Sequence, residues 1–193
     1  MLIYLPDYNL WFEIYVESHE DNQIYKAVSC IHLPEAELSQ VLLHNIEINT
    51  EDDLMLHTDL NTGDYRKTVL YTQEKVLIDN GDGTSSYVSL SLLDRILEKA
   101  PHYSVYHVDE SIAGLYREFS FDQTSIADAL DEIAEQFECV VVYGEGENYE
   151  GLPQRTISIY DMLDYCEDCG ERGLFYDGYC SECGSTNIVN GYG

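Results

Sequence analysis

The run FSFDQTSIADALDEIAEQFECVVVY, residues 119–143, carries the clearest structural signal in the sequence. Ser125 is a favourable helix N-cap, and an acidic residue, Asp128, follows three positions later. Apolar residues then recur at the spacing of one helical face, namely Ile126, Leu130, Ile133, Ala134 and Phe137. The run CVVVY (139–143) is typical of a strand. The stretch therefore predicts an amphipathic helix that leads directly into a strand.

The residues after this helix predict a hairpin. A glycine-rich acidic loop (144–152) separates CVVVY from a second strand-like run, RTISIY (155–160). The acidic residues of the loop would repel a phosphate, and no GK[ST] sequence follows, so a P-loop is excluded. Strand, helix and hairpin together predict an α+β unit whose helix packs on one face of a sheet.

The residues before this unit predict a second helix. SLLDRILEKA (91–100) is long enough for about three turns, and Pro101 prevents its continuation. Four apolar residues share one helical face: Leu92, Leu93, Ile96 and Leu97. Two strand-like runs follow, HYSVYHVD (102–109) and LYREFSFDQ (115–123).

The first half of the chain is β-rich in its pattern. WFEIYVES (11–18) and IYKAVSCIHL (24–33) predict a hairpin whose turn is HEDN (19–22). PEAELSQ (34–40) predicts one helical turn, and VLLHNIEIN (41–49) a further strand. KTVLYT (67–72) is followed by KVLIDNGDGTSSYVSL (75–90), in which NGDG (80–83) separates two apolar runs and predicts a hairpin turn. DNGDGT (79–84) lacks the EF-hand pattern of calcium ligands.

Four cysteines near the C-terminus form two matching C-x-x-C-G knuckles, with ligands at Cys166, Cys169, Cys180 and Cys183. Two residues between ligands let a tight turn aim both thiolates at one ion, and the glycine after each pair permits the backbone that completes the turn. GLFYDGY (173–179) reads as a short hairpin between the knuckles. Four sulfur ligands fill the coordination of zinc, so the pattern predicts one structural zinc ion per chain. A rubredoxin-like iron site and a pair of disulfides remain alternatives.

The composition limits the partners of the chain. The formal net charge is -28, and the acidic residues are spread along the whole length. A surface this negative repels nucleic acid and anionic membranes. The N-terminal run MLIYLPDYNLWFEIYVE has no basic leader, so we expect no signal peptide and reduced thiols. We expect Cys30 and Cys139, which lie in strand-like runs, to be small buried apolar residues.

The histidines do not form an evident catalytic group. His107 with Asp109 and Glu110 resembles a base with its carboxylate, but neighbouring residues on a strand point to opposite faces and no nucleophile elbow accompanies them. The remaining candidates, His32, His44 and His57, lack the spacing of a helical metal pair. We therefore expect no enzymatic activity.

Several stretches together resemble a known family. LLDRILEKAPHYSVYHVDESI, REFSFDQTSIADALDEIAEQFECVVVY, QRTISIYD and the two knuckles closing on GSTNIVNGYG are similar to the N-terminal, tail-tip part of minor structural proteins of phages and prophages, the tail-associated or prophage endopeptidase-tail proteins. ELSQVLLHNIEINTEDD also fits this resemblance. A weaker likeness, confined to residues 119–160, is to the small α+β modules at the N-termini of secretins and TonB receptors.

The tail-protein resemblance implies a fold, partners and a location. It implies a β-rich, hub-like α+β body with the ribbon inserted, binding to the distal-tail and tape-measure proteins, and homotrimers in the full-length protein. The location would be the virion tail, and the host cytoplasm during assembly. Receptor-binding or wall-degrading domains would follow downstream, so we expect the chain to be an excerpt or an unusually short member. The competing interpretation is a zinc-ribbon adaptor that binds a basic protein.

The expected organisation has four segments. A β-rich segment that ends in a helix covers 1–100, and the strand–helix–hairpin unit covers 101–163. The zinc ribbon covers 164–186, and 187–193 form a tail.

Overall fold

The structure is a computed structural model, and it describes residues 2–5, 10–21, 26–49, 58–64, 66–147, 153–175 and 178–192. It is an α+β protein, rich in short strands and with four helices in the described residues. The general fold class expected from the sequence is therefore confirmed. Nothing in the architecture supports the likeness to a tail hub, which stays a prediction.

The chain begins with a three-stranded antiparallel sheet. Its strands are Leu2–Leu5 (β1), Leu10–Asp21 (β2) and Lys26–His32 (β3), in the order β1-β2-β3. The predicted hairpin is confirmed, but the turn does not begin at His19, because pairing continues to the end of β2. The polar residues 19–21 stay in the strand since pairing there satisfies their backbone hydrogen-bonding groups.

A short helix and two short strands follow. Helix α1 (Leu33–Leu38) confirms the predicted turn. The single strand expected over 41–49 is wrong, because the chain forms Leu42–Leu43 (β4) and Ile46–Ile48 (β5) with Asn45 at φ 53° between them. A left-handed residue cannot continue a strand, so the two halves separate and pair with different partners.

A hairpin and a capped helix come next. Lys75–Asp79 (β6) and Ser85–Ser89 (β7) pair around the predicted NGDG turn. Helix α2 (Leu92–Leu97) begins after Ser91, whose hydroxyl accepts the amide of Asp94 at 3.1 Å. The helix is shorter than predicted, but the four apolar residues expected on its inner face are all buried. KTVLYT forms no strand, and its Val69 makes only an isolated bridge to Ser91.

The central unit agrees most closely with the sequence. Its elements are Tyr103–Val108 (β8), Glu110–Ala113 (α3), Phe119–Phe121 (β9), Thr124–Ser125 (β10), Ile126–Phe137 (α4), Cys139–Glu147 (β11) and Pro153–Asp161 (β12). β11 and β12 are antiparallel, and β8 adds to β12 in parallel. β4 pairs with β10, and β5 with β9. The strand predicted over 115–123 is reduced to three residues.

Helix α4 has the boundaries that its sequence requires. The Ser125 hydroxyl accepts a hydrogen bond from the amide of Asp128 at 3.1 Å. It also donates a hydrogen bond to the carboxylate of the same residue at 2.6 Å. Glu138 ends the helix in the left-handed region, at φ 53°. Of the five apolar residues predicted on the inner face, four are buried and Ala134 is half-buried.

One core holds these elements together. Its buried residues run from Leu38 in α1 to Ile159 in β12 and include Leu93, Phe121 and Leu130. The core therefore contains residues from both sides of position 100, while the division of the chain into segments stays a prediction. In the described part of the chain, no helix is long and apolar enough to cross a membrane.

Replacement of Leu130 by alanine tests the central position of α4. Leu130 is completely buried, so we expect Leu130→Ala to lower the free energy of unfolding by about 2–5 kcal/mol through lost burial and the remaining cavity. The matched control is Asp131→Ala, at the exposed neighbouring residue, which should change the free energy of unfolding by at most about 0.5 kcal/mol. Urea denaturation measures both. Equal effects of the two substitutions would contradict the packing described here.

Candidate metal centre

The C-terminal region forms a small sheet around the first knuckle. Asp164–Cys166 (β13) pairs with Arg172–Gly173 (β14) on one side and with Ile188–Val189 (β15) on the other. The hairpin of β13 and β14 therefore encloses the first knuckle. The hairpin predicted from the sequence lies later, at 173–179, and residues 176–177 of it lie outside the described residues. The segment expected as a tail supplies the third strand.

The two knuckles have the same backbone geometry. In each, the glycine amide donates to the carbonyl of the first cysteine at 2.8 Å, from Gly170 to Cys166 and from Gly184 to Cys180. The glycines have φ of 80° and 72°, in the left-handed region that favours glycine. The repeated C-x-x-C-G sequence thus builds one turn twice, and each turn presents two thiols.

The four cysteines meet at one point. Their sulfur atoms all lie within 4.8 Å of one another. The closest contacts join the knuckles, at 3.6 Å between Cys166 and Cys183 and 3.5 Å between Cys169 and Cys180. Metal–sulfur bonds of about 2.3 Å in a tetrahedron place sulfur atoms about 3.8 Å apart, so the spacing fits one ion. None of the four is in a disulfide.

The ionisation of these four thiols is coupled to the presence of a cation among them. Burial raises the pKa of Cys180, but the amides of Cys183 and Glu182 and the neighbouring thiols lower it, to about 7. The Glu171 amide lowers the pKa of Cys169, but the surrounding thiols outweigh it and raise the pKa to about 12. Thiols this close cannot all ionise together without a positive charge among them. A metal ion would supply that charge, and its binding would release protons.

A buried ion pair joins this region to the α+β body. The guanidinium of Arg172 binds both carboxylate oxygens of Asp161 at 2.7 Å, and one of its nitrogens donates to the carbonyl of Phe137 at 2.9 Å. The side chains are 14% and 4% exposed. Burial raises the pKa of Asp161, but hydrogen bonds from Arg172 and Ser111 outweigh it and lower the pKa below its usual value. The pair also satisfies the last carbonyl of α4.

The C-terminal residues strengthen this junction. The amide of Tyr192 donates to the carbonyl of Asp161 at 2.7 Å, and the amide of Gly191 to the carboxylate of Asp164 at 3.0 Å. A Cβ atom at Gly191 would lie 2.5 Å from the carbonyl oxygen of Met162. Only glycine fits at that approach, so the chain after β15 lies directly against the end of β12.

His107 and Asp109 do make contact. The His107 Nε2 atom lies 2.8 Å from the carboxylate of Asp109, so the expectation that they face apart is wrong. His107 and Asp109 are two positions apart on an extended segment, so their side chains lie on the same face. The alternation places Glu110, three positions after His107, on the opposite face. The other oxygen of Asp109 accepts the amide of Asp161 at 2.8 Å. Among the described residues, no serine or cysteine hydrogen-bonds His107. The absence of enzymatic activity stays a prediction.

The other candidates occupy structural positions. Cys139 is buried as expected, which raises the pKa of its thiol to about 11. His44 is exposed and lies 2.8 Å from the side chain of Gln123. In the DNGDGT turn, the Asp82 carboxylate accepts hydrogen bonds from the amide and hydroxyl of Thr84. The side chains of Cys30 and His32, and all of His57, lie outside the described residues.

The role of Arg172 is what sequence reasoning missed. Arg172 is the one basic residue of the acidic segment 164–186. That isolation is itself a signal, because a lone cation two residues after a knuckle is available to bind an acid of the body. The sequence does not show which of the many acids it binds.

Comparison with protein-family models, with curated proteins and with solved structures finds no match to this chain. The convergence of the four cysteines is therefore the support for a metal site in this chain.

Removal of the Arg172 charge tests the junction. We expect Arg172→Met to lower the free energy of unfolding by about 3–5 kcal/mol, because Asp161 would remain buried without its partner. The control is the same substitution at Arg66, whose contact with Glu74 at 2.6 Å is exposed and contributes about 1 kcal/mol or less. Chemical denaturation of both variants, with the metal content held equal, gives the comparison. Similar losses at the two positions would contradict the role given to Arg172.

Proposed function

We propose that this chain is a non-catalytic structural protein in which a zinc ribbon is fixed to an α+β body. The observation that carries the proposal is the convergence of four thiols from two identical knuckles, all within 4.8 Å. Four protein ligands leave no coordination position for water or substrate, so the ion would act on folding and not on chemistry.

Zinc is the metal that this ligand set favours. Thiolates select soft or borderline ions, and a closed tetrahedral four-thiolate site is typical of zinc or iron. The ten residues between the knuckles form a shorter spacer than rubredoxin-like iron sites usually have. A segment of about 20 residues buries too little apolar surface to fold alone. Zinc binding, with an apparent free energy of about 10–16 kcal/mol in small zinc modules, would supply the difference.

The sequence resemblance extends this proposal to the tail tip of a phage or prophage. In that role the chain is part of a baseplate hub, binds distal-tail and tape-measure proteins, and belongs to a trimer in the full-length protein. The support is the similarity of the quoted stretches around α2, α4 and the knuckles. The strong negative charge agrees with it, since an acidic surface would not bind nucleic acid during assembly.

A second candidate is an adaptor that binds a basic protein. The observation in its favour is the excess of 37 acidic over 9 basic residues. A negative surface attracts positively charged partners and accelerates their association. The extensive body before the ribbon favours the tail-protein proposal over this one.

Substitution of one ligand tests the zinc proposal. We expect one zinc ion per purified chain, and loss of both zinc and the structure of residues 164–186 in Cys180→Ser, because three thiolates cannot close the tetrahedral site. Elemental analysis measures the metal, and circular dichroism with proteolysis measures the ribbon. The matched control is Cys139→Ser, which removes a buried thiol outside the cluster and leaves the metal content unchanged. Wild-type protein with no metal, or with the visible absorption of iron, would contradict the assignment.

The genes beside this one test the tail proposal. We expect genes for a tape-measure and a distal-tail protein directly upstream, because tail proteins that assemble together are encoded together. The distal-tail protein, produced with this chain, should then form a complex that size-exclusion chromatography separates from either component. Neighbouring genes with no relation to tails would contradict the proposal and leave the adaptor.

A further inference from the structure

We infer that the cleft between the ribbon and the α+β body binds the arginine side chain of a basic protein segment. The cleft has a volume of about 380 Å³. This lies within the range of about 300–1,000 Å³ typical of ligand sites. One wall comes from the body, with Glu110 and Tyr160, and the other from the ribbon region, with Tyr165, Glu167 and Tyr192. The site therefore exists only where the two regions meet.

Two stacked aromatic rings, one from each wall, close the cleft at one end and leave their outer faces for a ligand. The rings of Tyr160 and Tyr192 lie 4.8 Å apart at an interplanar angle of 21°. The ring of His107 also contacts Tyr160, with the two ring centroids 5.1 Å apart and the planes tilted by 32°. Tyr192 is exposed. Aromatic faces attract organic cations, and a guanidinium stacks on them better than an ammonium does.

Two carboxylates of the cleft are available to a ligand. Glu110 begins helix α3, Glu167 follows β13, and both are exposed. Among the described residues, neither side chain has a hydrogen bond or ion pair. The deeper acids are already engaged, since Asp109 binds His107 and the amide of Asp161, and Asp161 itself binds Arg172. The free negative charge of the cleft thus lies on exposed side chains, one on each wall.

The occupant that fits these features is an arginine of a protein partner. The available carboxylates lie on separate walls beside aromatic rings, an arrangement that suits a planar organic cation more than a metal ion. Arginine can stack on a tyrosine and donate to carboxylates on both sides at once, because its five donors lie in one plane. The net charge of -28 would draw a basic segment toward the cleft before any contact forms.

This inference rests on the proposed zinc ribbon, because the ribbon supplies one wall. If the metal orders residues 164–186, then removal of the metal also takes Glu167 out of the wall of the cleft and displaces Tyr192. Binding of a basic segment would accordingly depend on the metal, although the ligand never touches the ion.

The test uses the full chain loaded with zinc and a fluorescein-labelled peptide of alternating glycine and arginine, with fluorescence anisotropy at 0.15 M salt. We expect saturable binding that weakens about threefold to tenfold in Glu110→Gln and in Glu167→Gln, and to a similar extent in Tyr192→Leu. The matched control is Glu135→Gln, on the exposed face of α4, which removes the same charge from a residue that does not line the cleft. The lysine version of the peptide should bind more weakly than the arginine version.

Three results would overturn the inference. These are no binding of the peptide to zinc-loaded protein, an equal loss of binding in Glu135→Gln, and tighter binding of duplex DNA than of the peptide. Metal analysis of the same samples shows separately whether the zinc proposal holds, so a failure of the arginine inference is not confused with a failure of the proposed function. If the purified chain holds no metal but binds the peptide with the same losses in Glu110→Gln and Glu167→Gln, the zinc proposal fails and the arginine site stands. Absence of both metal and peptide binding overturns both.

Discussion

The buried ion pair between Arg172 and Asp161 holds the ribbon against the α+β body. It joins the first residue of β14 to the last residue of β12 and satisfies the end of α4 through the Phe137 carbonyl. Both carboxylate oxygens are engaged, so the charge of Asp161 is compensated in a site where an unpaired charge would be costly. Without this pair, the ribbon would have a buried anion at its base.

The four-cysteine cluster and the ion pair support each other. The thiols fix the two knuckles, and β13 and β14, which flank the first knuckle, place Arg172 against the body. The C-terminal strand then returns along β13, and its last residues contact the end of β12. Folding of the ribbon and formation of the cleft are therefore one event in this account. This is the physical reason that a metal with no catalytic role would still control a binding surface.

Local signals predicted the elements, and long-range contacts decided their arrangement. Helix α4 was predictable because its N-cap and apolar periodicity are encoded within 13 residues. The convergence of the four cysteines was predictable because the spacing within each pair specifies the turn that presents both thiols. The break at Asn45 was not predictable, since it depends on pairing with β9 and β10 more than 70 residues later. The partner of Arg172 was equally hidden, because 37 acids compete for it in the sequence. His107 and Asp109 could have been paired from the two-residue period alone.

Hydrogen exchange of backbone amides, measured before and after removal of the metal by a chelator, tests the central claim most directly. The account predicts that Gly170 and Gly184 in the knuckles lose protection together with Tyr192 at the junction. Amides within α4 and β11 should keep theirs. Loss of protection in the knuckles alone, with Tyr192 unchanged, would show that the ribbon and the body are independent and would contradict the account.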